Sequence, residues 1–127
     1  MKKNKILITG GAGFVGSNLI NYFINNTKYK IISLDNYFTG SKKNHIKNSR
    51  VKYVVGENQN ITKLLNIYKN KIKVIFHFGE FSRIYQSFLQ YDKCIRYNLK
   101  GSFEVVTFAT KNRIKIIYSA TSSMLGN

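Results

Sequence analysis

Residues 5–19 read KILITGGAGFVGSNL, and this stretch decides the fold. Its first five residues, Lys5–Thr9, form a β-branched apolar run that predicts a buried strand. Glycines follow at once, and Gly13–Asn25 then continues as a predicted helix. A strand that turns through glycines directly into a helix is the opening of a β-α-β unit.

Two overlapping glycine patterns run through this turn. Gly11, Gly13 and Gly16 satisfy G-x-G-x-x-G, while Gly10, Gly13 and Gly16 give G-x-x-G-x-x-G. One glycine permits the tight turn, a second lets the backbone approach a pyrophosphate, and a third lets the helix pack closely on the sheet. The helix N-terminus then offers N–H groups and the positive end of its dipole to phosphates. A glycine triplet alone often marks only a flexible turn, but the strand-turn-helix context favours a dinucleotide site.

Asp35 is the second element of that site. It ends the next predicted strand, 19 residues after Gly16, close to the ~20 expected for an acid that binds the adenosine ribose. A carboxylate there accepts hydrogen bonds from both ribose hydroxyls and repels a 2′-phosphate, which favours NAD over NADP. The alternative is a simple turn acid within LDNYFTG, because Asp, Asn and Gly are turn formers. Lys42 and Lys43 could attract a 2′-phosphate, so the NADP option stays open.

The rest of the chain alternates short β-branched runs with longer helical stretches. We expect a parallel sheet of about five strands with helices on both faces, which is a Rossmann-type, doubly wound α/β fold. The further predicted strands are Lys30–Leu34, Val51–Val55, Val74–Phe78 and Ile114–Tyr118. The further predicted helices are Ile61–Lys69 and Tyr91–Lys111, the second with Ile95, Leu99, Val105, Val106 and Phe108 as candidate inner positions.

Length and composition bound the possibilities. The 127 residues suffice for one domain, and no run of 18 apolar residues exists to cross a membrane. The single cysteine, Cys94, excludes an internal disulfide and a multi-cysteine metal site, and it fits a reducing cytoplasm. We expect no metal.

The net charge of +16 has two interpretations. It is typical of a protein with a nucleic-acid or other polyanionic partner. However, only four of the 21 basic residues are Arg, the lysines are scattered, and the chain is rich in Lys, Asn and Ile without any Pro. That pattern favours a compositional bias of the genome over a nucleic-acid partner.

Several of these motifs resemble those of a known protein family. TGGAGFVGSNL (9–19) and LDNYFTG (34–40) resemble the opening and the ribose loop of the extended short-chain dehydrogenase/reductases, and within them the NAD-dependent nucleotide-sugar epimerases and dehydratases. GEN (56–58), HFGEFS (77–82) and the helix motif containing Tyr97 and Asn98 also match positions beside the family's cofactor. The resemblance implies that NAD is the cofactor and that the cofactor-binding residues are Gly10, Gly13, Phe14, Val15, Gly16, Asp35, Asn36, Thr39, Gly40, Glu57, Asn58, Phe78, Gly79, Glu80, Ser82 and Asn98.

Two of these positions depart from the family's usual pattern. Glu57 is one methylene longer than the Asp that usually lies near the adenine amino group. Glu80 places a carboxylate where the family has Ala or Gly, so it either faces the substrate or weakens NAD binding by repulsion. His77 is interpreted as a packed residue at the end of a strand rather than as a ligand or a base.

The last matching segment is YSATSSMLG (118–126). The resemblance implies that Thr121 is the catalytic hydroxyl, which bonds the sugar hydroxyl being oxidised, and that Ser122 and Ser123 line the substrate pocket. The alternative is a serine-rich strand end capped by its own side chains.

The family's catalytic Tyr-x-x-x-Lys and its substrate-binding part have no counterpart within residues 1–127. We therefore expect these residues to be an incomplete NAD-binding Rossmann domain, truncated before the substrate-binding part and not catalytically competent alone. The expected partner of the full-length protein is a nucleotide sugar, and the family's homodimer is doubtful for this chain. Two alternatives stay open: a stand-alone dinucleotide-binding module, and a basic protein that binds RNA or another polyanion on a Rossmann scaffold.

Overall fold

The computed structural model describes residues 3–121, and its centre is one parallel sheet. The strands are β1 (Lys5–Thr9), β2 (Lys30–Asp35), β3 (Val51–Val55), β4 (Ile72–His77) and β5 (Lys115–Tyr118). They lie in the order β3-β2-β1-β4-β5, and every neighbouring pair is parallel. The order reverses beside β1, which creates the crevice at the carboxyl ends of the strands where ligands bind in folds of this type. The predicted doubly wound α/β fold is confirmed.

Five α-helices and one π-helical stretch connect the strands in this part of the chain. The α-helices are α1 (Phe14–Asn26), α2 (Ile61–Leu65), α3 (Ile84–Leu89), α4 (Tyr91–Cys94) and α5 (Ser102–Lys111). The π-helical stretch, Ile95–Gly101, joins α4 to α5 without a break, and short 3₁₀ turns occur at Lys42–Asn44, Asn58–Asn60 and Asn66–Lys71.

Both faces of the sheet are covered, because successive strand residues point to opposite sides. Ile6 and Ile8 pack with Ile20 of α1 on one face. Leu7, between them, packs on the other face with a cluster that includes Leu65 of α2 and Phe108 of α5. This burial on both sides explains why β1 consists of a continuous apolar run rather than an alternating one.

The sequence located every strand but not every helix. The predicted helix over Ile61–Lys69 ends at Leu65 and continues as a 3₁₀ turn, and α3 has no counterpart among the predictions. The predicted inner positions Leu99 and Val106 are wrong, since these side chains are 64% and 47% exposed. Val105 and Phe108 are buried as expected. The π-helical stretch contains Leu99 and shifts its face relative to the α-helical spacing that the prediction assumed. Val106 lies in regular α5, about 100° around the axis from the buried Val105, so it faces away from the core.

Val105 and Val106 provide a matched test of this register. Val105 is fully buried, whereas its neighbour Val106 is half exposed. Val105→Ala should lower the free energy of unfolding by about 2 kcal/mol, the sum of lost burial and a residual cavity. Val106→Ala should change it by less than about 0.5 kcal/mol. Urea unfolding of both variants measures the difference, and equal losses would contradict the assigned register.

Candidate functional site: a cleft at the carboxyl ends of the strands

A cleft of about 530 Å³ opens where the loops after β1, β2, β3 and β4 meet the π-helical stretch. This volume lies within the range of small-molecule and cofactor sites. Fifteen of the sixteen predicted cofactor-binding residues line it, and Asn98 does not. Tyr97, which the resemblance placed beside the cofactor, lines it too. The lining residues that the predictions omitted include Phe38, Phe81, Arg83, Arg96 and Ser119.

The glycine turn is shaped by close approaches of the backbone. Gly10 has a φ of +71°, and a Cβ there would lie 2.9 Å from the backbone of Gly79. A Cβ on Gly16 would lie 2.3 Å from the carbonyl oxygen of Gly10. Gly13 is different, because the nearest atom to its Cβ position is 3.3 Å away. Gly10 and Gly16 are thus required by packing, while Gly13 leaves the mouth of the turn open.

The N-terminus of α1 forms the floor of the cleft beside this turn. Gly13 is its N-cap residue, no side chain caps it, and its first turn contains no acidic residue. Phe14 and Val15 line the cleft and are 83% and 55% exposed. A helix of 13 residues that presents an uncapped N-terminus to a cleft suits an anionic group such as a diphosphate.

Asp35 fixes the turn from the other side. Its Oδ2 accepts a hydrogen bond from the Ala12 N–H at 2.9 Å, and its Oδ1 accepts one from the Tyr37 N–H at 2.8 Å. Although only 8% exposed, Asp35 lines the cleft. An ionised carboxylate has about four acceptor positions, so two main-chain donors leave acceptor capacity for a diol.

The loop after β2 is strained around Asp35. Tyr37 has a φ of +59°, a conformation uncommon for residues other than glycine. The Asn36 side chain accepts a hydrogen bond from the Phe38 N–H, which closes a local turn. Burial, and then the Asp35 carboxylate, raise the pKa of the Tyr37 hydroxyl. Lys42 and Lys43 do not line the cleft, and the Lys42 ammonium lies 5.8 Å from the centre of the Tyr37 ring.

Glu57 forms an ion pair that the sequence did not reveal. Its Oε2 accepts hydrogen bonds from Nη2 and Nε of Arg96, at 2.7 and 3.1 Å. Gln59 donates to the same oxygen. The predicted contact from Glu57 to an adenine amino group therefore has to share this carboxylate with Arg96, which itself lines the cleft.

An aromatic cluster crosses the cleft between two loops. The Phe38 ring lies 5.6 Å from that of Phe81 and 5.4 Å from that of Tyr97, measured between ring centres. Asn98 lies behind the cluster: its Oδ1 accepts from the Phe81 N–H at 2.6 Å, and its Nδ2 donates to the Phe81 carbonyl at 2.8 Å. The structure thus places Asn98 where it holds the cleft wall through main-chain hydrogen bonds.

At the ends of β4 and β5, His77 lies in a polar network. It is fully buried; Nδ1 is 2.6 Å from Oγ1 of Thr9, and Nε2 is 2.9 Å from Oγ of Ser102. Burial lowers the pKa of His77, while the Glu80 carboxylate acts in the opposite direction. His77 is a packed residue at the end of β4, as the sequence indicated.

The last predicted site residues fall at the edge of the described region. Thr121 is its final residue and is absent from the cleft lining, although Ser119 of the same segment is part of it. Ser122 and Ser123 lie outside the described residues. Within residues 3–121, no group of His, Cys, Asp and Glu side chains is arranged to hold a metal ion. In the same range, no helix combines the length and the apolar character needed to cross a bilayer.

Comparison with protein families decides the relationship. Residues 6–127 match the model of the NAD dependent epimerase/dehydratase family. The chain belongs to this family. The resemblance predicted from the glycine turn, the ribose loop and the strand ends is thereby confirmed, and NAD is the cofactor of the family.

The similar proteins include a decarboxylase, a dehydratase and an epimerase. The chain is 32% identical over 128 residues to UDP-glucuronic acid decarboxylase 6 of Arabidopsis thaliana, covering 97% of the chain and 35% of that protein. It is 33% identical over 130 residues to dTDP-D-glucose 4,6-dehydratase of Dictyostelium discoideum, covering 97% and 30%. The solved structure of UDP-glucose 4-epimerase with UDP-glucose from Thermotoga maritima matches with a TM-score of 0.82 and 26% identity, covering 92% and 38%. The chain thus spans about a third of the length of these proteins.

Gly16 and Gly13 test the packing of the turn. Gly16→Ala places a methyl group against the Gly10 carbonyl, so the turn must shift, and overpacking should cost about 1–3 kcal/mol of stability. Gly13→Ala meets only one atom, at 3.3 Å, and should cost less than about 1 kcal/mol. Thermal or urea unfolding compares the two variants. A Gly13→Ala variant as unstable as Gly16→Ala would show that the turn is equally crowded at both positions.

Proposed function

We propose that residues 1–127 are an NAD-binding domain, and that the protein to which they belong acts on a nucleotide sugar. The observation that carries the first part is Asp35. Its carboxylate lines the cleft, is tied to the glycine turn through the Ala12 N–H, and lies at the end of β2. A carboxylate so placed can accept hydrogen bonds from the hydroxyls of an adenosine ribose, and it repels a 2′-phosphate.

The residues present fit the dinucleotide along the length of the cleft. The uncapped N-terminus of α1 and the open position at Gly13 suit the diphosphate. Phe38, which follows β2, and Arg96, which is bonded to Glu57 after β3, offer flat surfaces for the adenine on this side of the cleft. When bound, NAD supplies a hydride acceptor at its nicotinamide ring.

For the substrate, support comes from the family and from relatives whose names specify nucleotide sugars. We propose transient oxidation of the sugar, in which the hydride is later returned. Thr121 is proposed as the hydroxyl that bonds the reacting sugar hydroxyl, with Ser122 and Ser123 lining the sugar pocket. The family's general base, the Tyr of Tyr-x-x-x-Lys, has no counterpart in residues 1–127, so we expect this chain alone to bind without turnover.

A binding module without catalysis is the second candidate, and the same cleft supports it. The two differ in what the complete protein contains. A Tyr-x-x-x-Lys motif in a longer form of the protein, with turnover of a nucleotide sugar, would favour the enzyme. Binding of NAD by a protein without that motif would favour the module.

Calorimetric titration of the chain with NAD and NADP tests the cofactor site. Wild-type protein should bind NAD more tightly than NADP. Asp35→Asn should weaken NAD binding by about 10- to 100-fold, since hydrogen bonds to a charged group contribute about 1.5–3 kcal/mol. The same variant should narrow the preference for NAD, because the repulsion of a 2′-phosphate is lost.

The ratio of NAD to NADP affinity distinguishes a lost contact with the ribose from a general loss of structure in Asp35→Asn. Because Asp35 also holds the Ala12 and Tyr37 N–H groups, a purely structural loss would weaken NAD and NADP equally. Asp92→Asn, which removes an exposed acid of α4 outside the cleft, is the matched control and should leave both affinities unchanged. Tighter binding of NADP than of NAD by the wild-type chain would overturn the assignment.

A further inference from the structure

Glu80 places a carboxylate in the half of the cleft opposite Asp35. It follows β4 in the chain and lines the cleft, and its side chain is 21% exposed. The sheet order puts Asp35 on the β2 side of the glycine turn and Glu80 on the β4 side. A dinucleotide whose adenosine ribose meets Asp35, and whose diphosphate meets α1, extends its second half over β4 and β5.

A directional chain of hydrogen bonds leads to this carboxylate, and it starts at Thr9. The Thr9 Oγ1 accepts from the Gly79 N–H at 3.1 Å and from the Phe78 N–H at 3.2 Å. The Phe78 N–H is shared with the Thr9 carbonyl, also at 3.2 Å, so the direction of the remaining Thr9 bond, 2.6 Å to Nδ1 of His77, is set from the other end of the chain. The Ser102 hydroxyl gives its one proton to Glu80 and therefore accepts from Nε2 of His77. Nδ1 is then an acceptor, and the neutral imidazole carries its proton on Nε2.

The chain continues from His77 to Glu80. The Nε2–H donates to Oγ of Ser102 at 2.9 Å, and the Ser102 hydroxyl donates to Oε1 of Glu80 at 2.7 Å. The lowered pKa of the buried His77 agrees with a neutral ring. Every bond therefore points towards the carboxylate, as a chain of polarised donors does when it stabilises an anion.

A second donor reaches the same oxygen from β5. The Tyr118 hydroxyl donates to Oε1 at 2.9 Å, and this hydrogen bond is the main cause that raises the pKa of Tyr118. Two hydroxyl donors on Oε1 fix the orientation of the carboxylate. Two polar side chains, Ser102 and Tyr118, hold this charge in place, which indicates a function for it, since a small residue at position 80 would need neither contact.

We propose that Glu80 accepts a hydrogen bond from a sugar hydroxyl of the ligand, in the half of the cleft over β4 and β5. The hydroxyl belongs either to the second ribose of the dinucleotide or to the sugar of the substrate. The chemistry of the group supports this assignment, because an anionic acceptor suits hydroxyl donors and repels phosphate. The inference rests on the proposed NAD site and assigns a ligand group to the carboxylate within it.

The test is calorimetric titration of wild type and Glu80→Gln with ADP, ADP-ribose and NAD. Glutamine keeps the shape of the side chain. Its amide oxygen can replace Oε1 and keep the hydrogen bonds from the Ser102 and Tyr118 hydroxyls. Its NH₂ group then replaces Oε2, so a donor stands where Glu80 offers an acceptor to the ligand. Binding of ADP-ribose and NAD should weaken about 10-fold or more while ADP binding stays unchanged. A fourth titration, with UDP-glucose in saturating NAD, tests the substrate sugar.

The four titrations separate the sources of the hydroxyl. Weaker ADP-ribose and NAD binding assigns it to the second ribose, and weaker UDP-glucose binding alone assigns it to the substrate. Glu104→Gln, an equal loss of charge on α5 outside this cleft, is the control and should bind all ligands as wild type does. Tyr118→Phe removes one orienting donor and should weaken ADP-ribose more than ADP, a selectivity that general loss of stability would not produce.

Three results would overturn the proposal. The first is that Glu80→Gln binds ADP-ribose, NAD and UDP-glucose each as tightly as the wild type does. Another is tighter binding of every ligand, ADP included, which would show that Glu80 repels the diphosphate. The third is that Glu80→Gln loses affinity for ADP and for ADP-ribose by the same factor. If the wild-type chain binds no NAD, the proposed function fails as well, whereas normal NAD binding by both proteins confines the failure to Glu80.

Discussion

The cleft depends on the close approach of backbone at the glycine turn. Gly10 donates its N–H to the Leu34 carbonyl at 2.8 Å, and a Cβ on it would strike the backbone of Gly79. Gly10, which follows β1, therefore contacts the backbone at the ends of both neighbouring strands, β2 and β4. The strand order then places Asp35 and Glu80 on opposite sides of this contact.

The distribution of charge differs between the cleft and the whole chain. The protein has 21 basic and five acidic residues, yet three of those acids, Asp35, Glu57 and Glu80, line the cleft. Each is stabilised differently: Asp35 by main-chain N–H groups, Glu57 by Arg96, and Glu80 by neutral hydroxyls. The cleft therefore presents a carboxylate that can accept hydrogen bonds from hydroxyl groups at each end, and the N-terminus of α1 lies between the two. This arrangement suits a ligand with a central anionic group and sugars on either side.

The sequence predicted the strands and most of the cleft because both are encoded locally. A run such as Lys5–Thr9 is apolar throughout since the sheet is covered on both faces, and the glycine spacing follows from the turn itself. The contacts made across the chain were not predictable in this way. Arg96 and Glu57 are 39 residues apart, and nothing in the spacing of either residue indicates the other. The shift of register at Ile95–Gly101 depends on hydrogen bonds that apolar spacing does not encode, so Leu99 was wrongly assigned to the core.

That π-helical stretch is also what joins the walls of the cleft. Its consecutive residues Arg96, Tyr97 and Asn98 contact Glu57 after β3, Phe38 after β2 and Phe81 after β4. In an α-helix, three consecutive side chains diverge widely around the axis. The i→i+5 hydrogen bonding spreads one turn over more residues, so neighbouring side chains diverge less and can reach loops on the same side. The irregular turn thus has a structural reason: one short segment contacts three loops of the cleft, in addition to direct contacts between loops such as that of Asn58 with the Gly79 carbonyl.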